Sequence, residues 1–156
     1  MTAGPVVSNA SPLIALERIG RLDLLAQLFG NVLVPPAVVR ETVPQLVLPA
    51  WIAEQSLAQP LAPQILQASL GAGESESISL ALELGAAWVI LDDRPARRLA
   101  QALGLTVIGT LGLLLAGKRR GLLTSIKPWL DSLALHGFHI AAHLYKKVLT
   151  DAGESP

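Results

Sequence analysis

Short apolar runs alternate with longer amphipathic segments along this chain, and glycine or proline separates most of them. The run Trp88–Leu91 contains no charged residue, as is typical of a parallel strand that is buried on both faces. The segments 21–29 and 74–84 instead show the amphipathic pattern of helices, and each stops at a glycine. The alternation continues to the end of the chain, so the sequence predicts an α/β domain with a parallel sheet covered by helices on both faces.

One domain accounts for residues 1–156, because this length suits a single domain and no shift in composition marks a boundary. Four prolines break residues 44–70, which we interpret as an excursion within that domain. The predicted strands are 5–9, 31–34, 51–56 (at an edge), 88–91 and 105–108, and the predicted helices are 11–20, 21–29, 37–43, 61–70, 74–84, 96–103, 110–120, 126–135 and 138–149.

Polar side chains stand where predicted strands end. Asp92 and Asp93 follow strand 88–91, and Asn9 ends the first strand in the same structural position, although it could equally be a turn residue. Ligand sites in open parallel sheets lie outside the carboxyl ends of the strands, so we expect these side chains to border one crevice. Ser11 and Thr110 begin the next helices, where each could act as an N-cap alone.

Glu74 is placed differently from the other acids of its helix. At about 100° per residue, Glu74 falls among the apolar positions, whereas Glu76 and Glu83 point toward solvent. A core-facing acid needs a partner, such as a metal ion or a hydrogen-bond network. The alternative for Glu74 and Glu76 is that an acid at a helix N-terminus only compensates the helix dipole. Glu41, on a short predicted helix, could likewise be solvated.

The composition excludes several classes of protein. No cysteine is present, so disulfides and cysteine-based zinc sites are excluded, and six aromatic residues are few for a protein that stacks on bases. The N-terminus lacks the features of a signal peptide, and no apolar run approaches the 18 residues of a membrane span, so we expect a cytoplasmic protein with no membrane partner. His139 and His143 share a helical face, but without an HExxH pattern we interpret them as surface or packing residues.

The net charge is zero, but its distribution is uneven. Residues 1–93 contain three basic and nine acidic residues, whereas residues 94–147 contain nine basic residues and one acidic residue. An acidic part that holds cations beside a basic part that contacts phosphates would suit a metal-dependent nuclease. Basic residues that simply solvate helix faces would explain the same pattern. Neither a dinucleotide-binding motif, nor a Walker loop, nor a G-x-S-x-G elbow is present.

Clustered carboxylates at one crevice require a cation, because they otherwise repel one another. Oxygen ligands suit Mg²⁺ or Mn²⁺, and such ions activate water and stabilise the transition state of phosphodiester hydrolysis. The chain also resembles a known family, the PIN domains, and is most similar to an uncharacterised prokaryotic branch close to VapC-type toxins. The segments that carry the resemblance are 7–14, 35–41, 73–76 with Ala81, 91–94 with Arg97, 109–112 and 149–154.

The resemblance implies a three-layer α/β/α domain with a central parallel sheet, often as a homodimer. It also implies a Mg²⁺- or Mn²⁺-dependent endoribonuclease that acts on RNA, frequently as the toxin that a small antitoxin protein restrains. The family's four acidic positions fall on Asn9, Glu41, Glu74 and Asp92, with Asp93 able to share the last role. The resemblance thus gives Asn9, Glu74, Asp92 and Asp93 as candidate metal ligands, and Glu41, Glu74, Asp92 and Asp93 as candidate catalytic acids. Ser11, Arg94, Arg97 and Thr110 are the candidate substrate contacts.

One position departs from the family, because Asn9 stands where the first acid is typically Asp. An amide oxygen can still bind a metal ion, but the site loses one negative charge, so weaker metal binding and reduced activity are expected. The alternative is therefore a catalytically weakened domain that binds RNA or protein as a regulator. A small-molecule enzyme that uses the acidic crevice is a third hypothesis, but it would need a nucleophile and base, and no histidine lies near the predicted site.

Overall fold

The computed structural model describes residues 4–66 and 68–156. Its strands are β1 Val6–Ser8, β2 Val32–Val34, β3 Ile52–Glu54, β4 Trp88–Ile90 and β5 Val107–Ile108. All pair in parallel, in the order β3–β2–β1–β4–β5, so the chain starts in the middle of the sheet and builds first one half, then the other. The predicted α/β/α architecture with a central parallel sheet is confirmed, and β3 is the predicted edge strand.

Helices cover both faces of this sheet. Their bounds in the described residues are α1 Ala10–Arg18, α2 Asp23–Phe29, α3 Pro36–Thr42, α4 Pro63–Leu66, α5 Ala72–Leu84, α6 Arg94–Ala102, α7 Thr110–Arg119, α8 Lys127–Leu135 and α9 Ala142–Asp151.

Two hydrophobic cores result because successive strand residues point to opposite faces. Val6 of β1 belongs to the larger core with α1, α2, α7 and α8, whereas Val7 belongs to the smaller core with α5 and α6. In β4 the same alternation places Val89 in the smaller core and Ile90 in the larger one. Strands buried on both sides explain the nearly continuous apolar runs in the sequence.

The end of α5 determines where its first turn lies. Gly85 follows the helix with φ of +57°, a left-handed conformation that glycine adopts without strain. The Ala86 amide then donates to the Ala81 carbonyl at 2.9 Å, and the chain reverses into β4. Helix α5 therefore runs against the strand direction, and its N-terminus, with Glu74, lies at the carboxyl edge of the sheet.

Several predicted helix boundaries were wrong, including those of the first, fourth and last helices. The first helix begins at Ala10 with Asn9 in the N-cap position, so Ser11 is not its cap. The last helix begins at Ala142, because Phe138 and Ile140 pack against the core while His139 between them is exposed, as in an extended segment. Helix α4 is a short element within the predicted helix 61–70, of which residue 67 lies outside the described residues.

The side chain of Glu154, near the C-terminus, connects α7 to the start of α8. Its carboxylate accepts hydrogen bonds from Nζ of Lys118 at 2.8 Å and from the backbone amides of Ile126 at 2.8 Å and Lys127 at 3.2 Å. Burial alone would raise the pKa of Glu154, but these donors outweigh burial and lower it. The side chain thus closes the N-terminus of α8 and links it to α7.

The exposed surface agrees with one sequence-based expectation. His139 and His143 are both exposed, as predicted for surface histidines. In the described part of the chain, no helix combines the length and the apolar character needed to cross a bilayer.

Candidate functional site

The chain adds strands first on one side of β1 and then on the other, so the strand order reverses between β1 and β4. In open α/β sheets, ligands bind at such a switch point, outside the carboxyl ends of the strands. Ser8 and Ile90 are paired across β1 and β4, and the Asn9 amide donates to the Ile90 carbonyl at 3.0 Å. Asn9 and Asp92 therefore follow the ends of neighbouring strands, at almost the same position along the strand direction. The structure confirms the shared position that the strand ends predicted for these two residues.

Asn9 carries a buried acceptor with no partner. The residue is 1% exposed, and its Oδ1 atom has no hydrogen bond within the described residues. A methyl group added to Cα of Gly73 would lie 2.9 Å from this oxygen and 2.6 Å from Oε2 of Glu41. The amide oxygen and the Glu41 carboxylate therefore converge on one glycine at the start of α5. An unpaired buried oxygen of this kind needs a proton donor, a water molecule or a cation.

Glu41 reaches this point from α3. Its Oε1 atom accepts a hydrogen bond from the Gly73 amide at 3.1 Å, which holds the carboxylate across the first turn of α5. Desolvation raises the pKa of Glu41, and the nearby Glu74 carboxylate raises it further. The two acids therefore share one electrostatic environment, although 33 residues separate them in the sequence.

Glu74 is half-buried in the first turn of α5. Its side chain folds back over the start of the helix, because a methyl group added to Gly71 would lie 2.7 Å from Oε2 of Glu74. Gly71 and Gly73 thus leave room for two carboxylates at the same helix N-terminus. These two glycines are therefore the contact surface of the acids.

Glu76 and Glu83 are half-buried and bound to backbone donors, whereas the helical wheel predicted only that they point toward solvent. Glu76 accepts a hydrogen bond from the Ala37 amide at 3.0 Å and lies 4.0 Å from Arg40, so it closes the N-terminus of α3. Glu83 accepts from the backbone amides of Ala58 and Gln59 at 2.9 and 2.8 Å. The helix is packed on both flanks, and its outer acids bind backbone donors of distant segments.

Asp92 is held by the start of α7. Its Oδ1 atom accepts from the Thr110 amide at 2.8 Å, and Oδ2 accepts from the Thr110 hydroxyl at 2.6 Å. Burial raises the pKa of Asp92, while the two Thr110 bonds and the Arg97 charge act in the opposite direction. Nη1 of Arg97 also donates to the Leu91 carbonyl at 2.8 Å, which fixes the guanidinium beside the carboxylate.

These bonds correct one predicted substrate contact, Thr110, and tie a second, Arg97, to Asp92. Thr110 is fully buried and its hydroxyl is bound to Asp92, so it positions that acid and does not reach a substrate. Arg97 is half-buried and engaged by the backbone of Leu91, so it also acts on Asp92. Gly109 permits this approach, because a methyl group there would lie 2.6 Å from Arg97 Nη1 and 2.9 Å from Asp92 Oδ1.

Asp93 is not a partner of Asp92. Its Oδ2 atom accepts a hydrogen bond from the Ala96 amide at 3.0 Å, so the side chain is the N-cap of α6. The structure therefore assigns it a capping role in place of the predicted metal-binding role. Arg94 and Ser11 are exposed in the first turns of α6 and α1, where both remain available to a substrate.

The oxygen atoms gathered at the start of α5 suit a hard cation that needs few ligands from the protein. Among residues 4–66 and 68–156, no three acidic or histidine side chains form a metal-binding group. Glu41, Glu74 and the amide oxygen of Asn9 nevertheless supply oxygen donors, and the unpaired Asn9 oxygen is the acceptor that a cation would satisfy. Mg²⁺ is usually bound through one or two carboxylates together with water, so these residues fit it.

Comparison with known proteins identifies the family of this chain. One solved structure, the PilT N-terminus domain protein SSO1118 from the archaeon Sulfolobus solfataricus P2, is 16% identical, with a TM-score of 0.46 over 88% of this chain and 98% of that chain. No curated protein matches. The model of the family DUF3368, described as a PIN domain, matches residues 5–154. The chain therefore belongs to the PIN-domain family.

Proposed function

We propose that this protein is a metal-dependent endoribonuclease. The observation that carries the proposal is the unpaired, buried Oδ1 atom of Asn9, which faces Glu41 beside Glu74 at the carboxyl edge of the sheet. Membership of the PIN-domain family supports a nuclease fold. The acidic residues and their glycine contacts form a compact oxygen-rich surface, which is the chemistry that binds Mg²⁺ or Mn²⁺.

Asn9, Glu41 and Glu74 would hold the ion. When bound, it supplies Lewis acidity for the phosphoryl oxygens and lowers the pKa of a water molecule. Asp92 follows the strand next to that of Asn9, its two oxygens are fixed by Thr110, and its raised pKa makes it a better proton acceptor than an ordinary carboxylate. The water oxygen bonds to phosphorus as one P–O ester bond breaks; Asp92 takes the proton that the water loses, and the leaving ribose oxygen takes a proton from solvent.

One observation favours a second candidate, the catalytically weakened domain. Asn9 is neutral, and Asp92 is already bound by two donors of Thr110, so the metal-binding set contains only two free carboxylates. Such a site binds a cation less tightly than one with three or four charges. In this case the protein would retain RNA or protein binding as a regulator and would show little cleavage.

We extend the leading proposal to a toxin that a small antitoxin protein restrains, and to a homodimer. Only the family supports this extension. Induced expression of the wild-type chain should arrest bacterial growth, and Glu74→Ala should abolish the arrest at the same protein level. Light scattering of the purified chain reports the oligomeric state. Normal growth with abundant wild-type protein would contradict the toxin role but not the nuclease.

The direct test is cleavage of a labelled RNA with Mg²⁺, with Mn²⁺ and with EDTA. We expect cation-dependent cutting that Glu74→Ala and Asp92→Ala each reduce by about 100-fold or more, as expected when a group needed in the transition state is removed. Glu17→Gln is the matched control, since Glu17 is exposed on α1 and away from the site. Absence of cutting by folded wild-type protein would favour the regulator, and cutting that survives both substitutions would contradict the site.

A further inference from the structure

A groove with a volume of about 300 Å³ opens beside Asp92 and runs along α1. Ser11, Ile14 and Arg18 lie on one face of that helix, at spacings of three and four residues, and span about 10 Å along its axis. The opposite wall comes from the end of α8 and the turn that follows it. Its lining residues are Ser11, Ile14, Ala15, Arg18, Gln45, Asp92, Leu133, His136, Gly137 and Phe138.

Polar groups stand at the outer end of this groove. Nη2 of Arg18 donates to Oε1 of Gln45 at 3.0 Å, and within the described residues Arg18 forms no ion pair. Its positive charge is therefore held in place by a neutral partner and is not neutralised. Nδ1 of His136 bonds the Ser132 carbonyl at 2.8 Å, which makes Nδ1 the donor and leaves Nε2 to bond another group.

The middle of the groove is apolar. Phe138 is half-buried, packed against the larger core on one side and lining the groove on the other, and Ile14 and Leu133 complete this section. An aromatic ring in the same groove as a fixed cation and a hydrogen-bonding imidazole is an arrangement that accepts a base and its phosphate. No feature of sequence spacing indicated this surface, since its two walls are more than 100 residues apart.

We propose that this groove binds one nucleotide of single-stranded RNA next to the scissile phosphate, with Arg18 on a backbone phosphate and Phe138 against the base. The inference rests on the proposed ribonuclease function, because Asp92 at the inner end is the reaction centre. The volume is at the lower end of small-ligand sites, so it suits one nucleotide and not a duplex. Bases in a duplex are also stacked and unavailable to a ring.

Binding of fluorescent RNA, measured by anisotropy, tests the groove separately from cleavage. The probe is a single-stranded oligonucleotide with Ca²⁺ as the cation, its integrity checked on a denaturing gel, beside a hairpin of the same sequence. Arg18→Gln should reduce the slope of log affinity against log salt by about 0.7, which is about fivefold in affinity near 0.1 M salt. Phe138→Leu keeps the core contact and should weaken binding about fivefold or more through lost stacking, with an unchanged salt slope.

Arg119→Gln is the matched control for charge. Arg119 is exposed at the end of α7, about 13 Å along the helix from Thr110, and it does not line the groove. Equal affinities and slopes for wild type, Arg18→Gln and Phe138→Leu would overturn the groove, as would equal binding of the hairpin. If the binding measurements contradict the groove but wild type cuts RNA with Mg²⁺, the ribonuclease proposal stands. If wild type binds but never cuts, the ribonuclease proposal fails instead.

Discussion

Both carboxylate oxygens of Asp92 accept hydrogen bonds from one residue, Thr110, one from its amide and the other from its hydroxyl. The amide belongs to the first turn of α7, so the start of that helix faces the negative charge. Burial raises the pKa of this acid, and Thr110 limits the increase. The same two contacts that fix its position therefore also favour its ionised form.

Thr110→Val removes the hydroxyl and keeps the shape of the side chain. Because the lost hydrogen bond lowered the pKa of Asp92, we expect that pKa to rise further in the variant. The ionised form is the proton acceptor in the proposed reaction, so the acid limb of the pH–rate profile should move to higher pH. Thr110→Ser, which restores the hydroxyl, should return the limb to its wild-type position. An unmoved limb in the valine variant would show that Asp92 does not set it.

Glu41→Gln should stabilise the metal-free protein. The raised pKa of Glu41 means that its native state binds protons more tightly than the unfolded chain, so its contribution to stability is lost as pH rises through that raised pKa. At neutral pH the charged form is unfavourable, by no more than about 1 kcal/mol for a group open to solvent, which corresponds to about 2–4 °C in Tm. Calorimetry in EDTA measures the gain, and Mn²⁺ should stabilise wild type more than the variant. A lower Tm for Glu41→Gln in EDTA would contradict this.

Gly73→Ala tests the contact between α5 and the acids. The new methyl group would lie 2.6 Å from Glu41 Oε2 and 2.9 Å from Asn9 Oδ1, so the Glu41 carboxylate must move. We expect cleavage to fall by about 100-fold, as when catalytic groups are displaced by about 1 Å. Adding Glu41→Ala removes the two closest oxygens and leaves only the Asn9 oxygen at 2.9 Å, so the double variant should be more stable than Gly73→Ala alone. Thermal unfolding of the two single variants and the double variant completes the cycle, and additive effects would rule out the clash.

Asn9→Asp should restore the negative charge that the site lacks. The residue is 1% exposed, so an added carboxylate beside Glu41 should lower the free energy of unfolding in EDTA by about 1–3 kcal/mol. A bound cation should offset that loss, so Tm should rise more steeply with Mn²⁺ than in wild type. Cleavage should increase if charge at this position limits activity. A variant with the same response to Mn²⁺ as wild type would place the ion away from Asn9.

The order of the secondary-structure elements and the position of the site in the fold were predictable, because both depend on local sequence patterns. Gly85 ends a helix whatever it packs against, and Asn9 and Asp92 follow buried strands, which places them at one edge of the sheet. The apolar run 88–91 could hardly form anything but a buried strand. These inferences need no knowledge of the tertiary contacts.

The partners of individual acids were not predictable, because they depend on segments distant in the chain. A helical wheel places Glu76 on an outer face, but only the packing of α3 against α5 shows that the Ala37 amide, 39 residues away, lies there. Asp93 comes directly after Asp92, but this shift of one residue along the chain places its side chain at the N-cap of α6. Thr110 was expected to cap its helix, yet that position belongs to Gly109.

Glu154→Gln should destabilise the protein by about 1–2 kcal/mol at neutral pH, because three donors lose a charged acceptor. The pKa of Glu154 is lowered in the folded state, so its stabilising effect is present above the ordinary value of 4.5 and is lost as pH falls through the lowered pKa. Urea unfolding of wild type and variant should therefore differ at pH 7 and converge in strong acid. Glu17→Gln, on an exposed carboxylate, should change little at either pH. A difference between wild type and Glu154→Gln that persisted in acid would mean that packing of the side chain, and not its charge, holds α8 to α7.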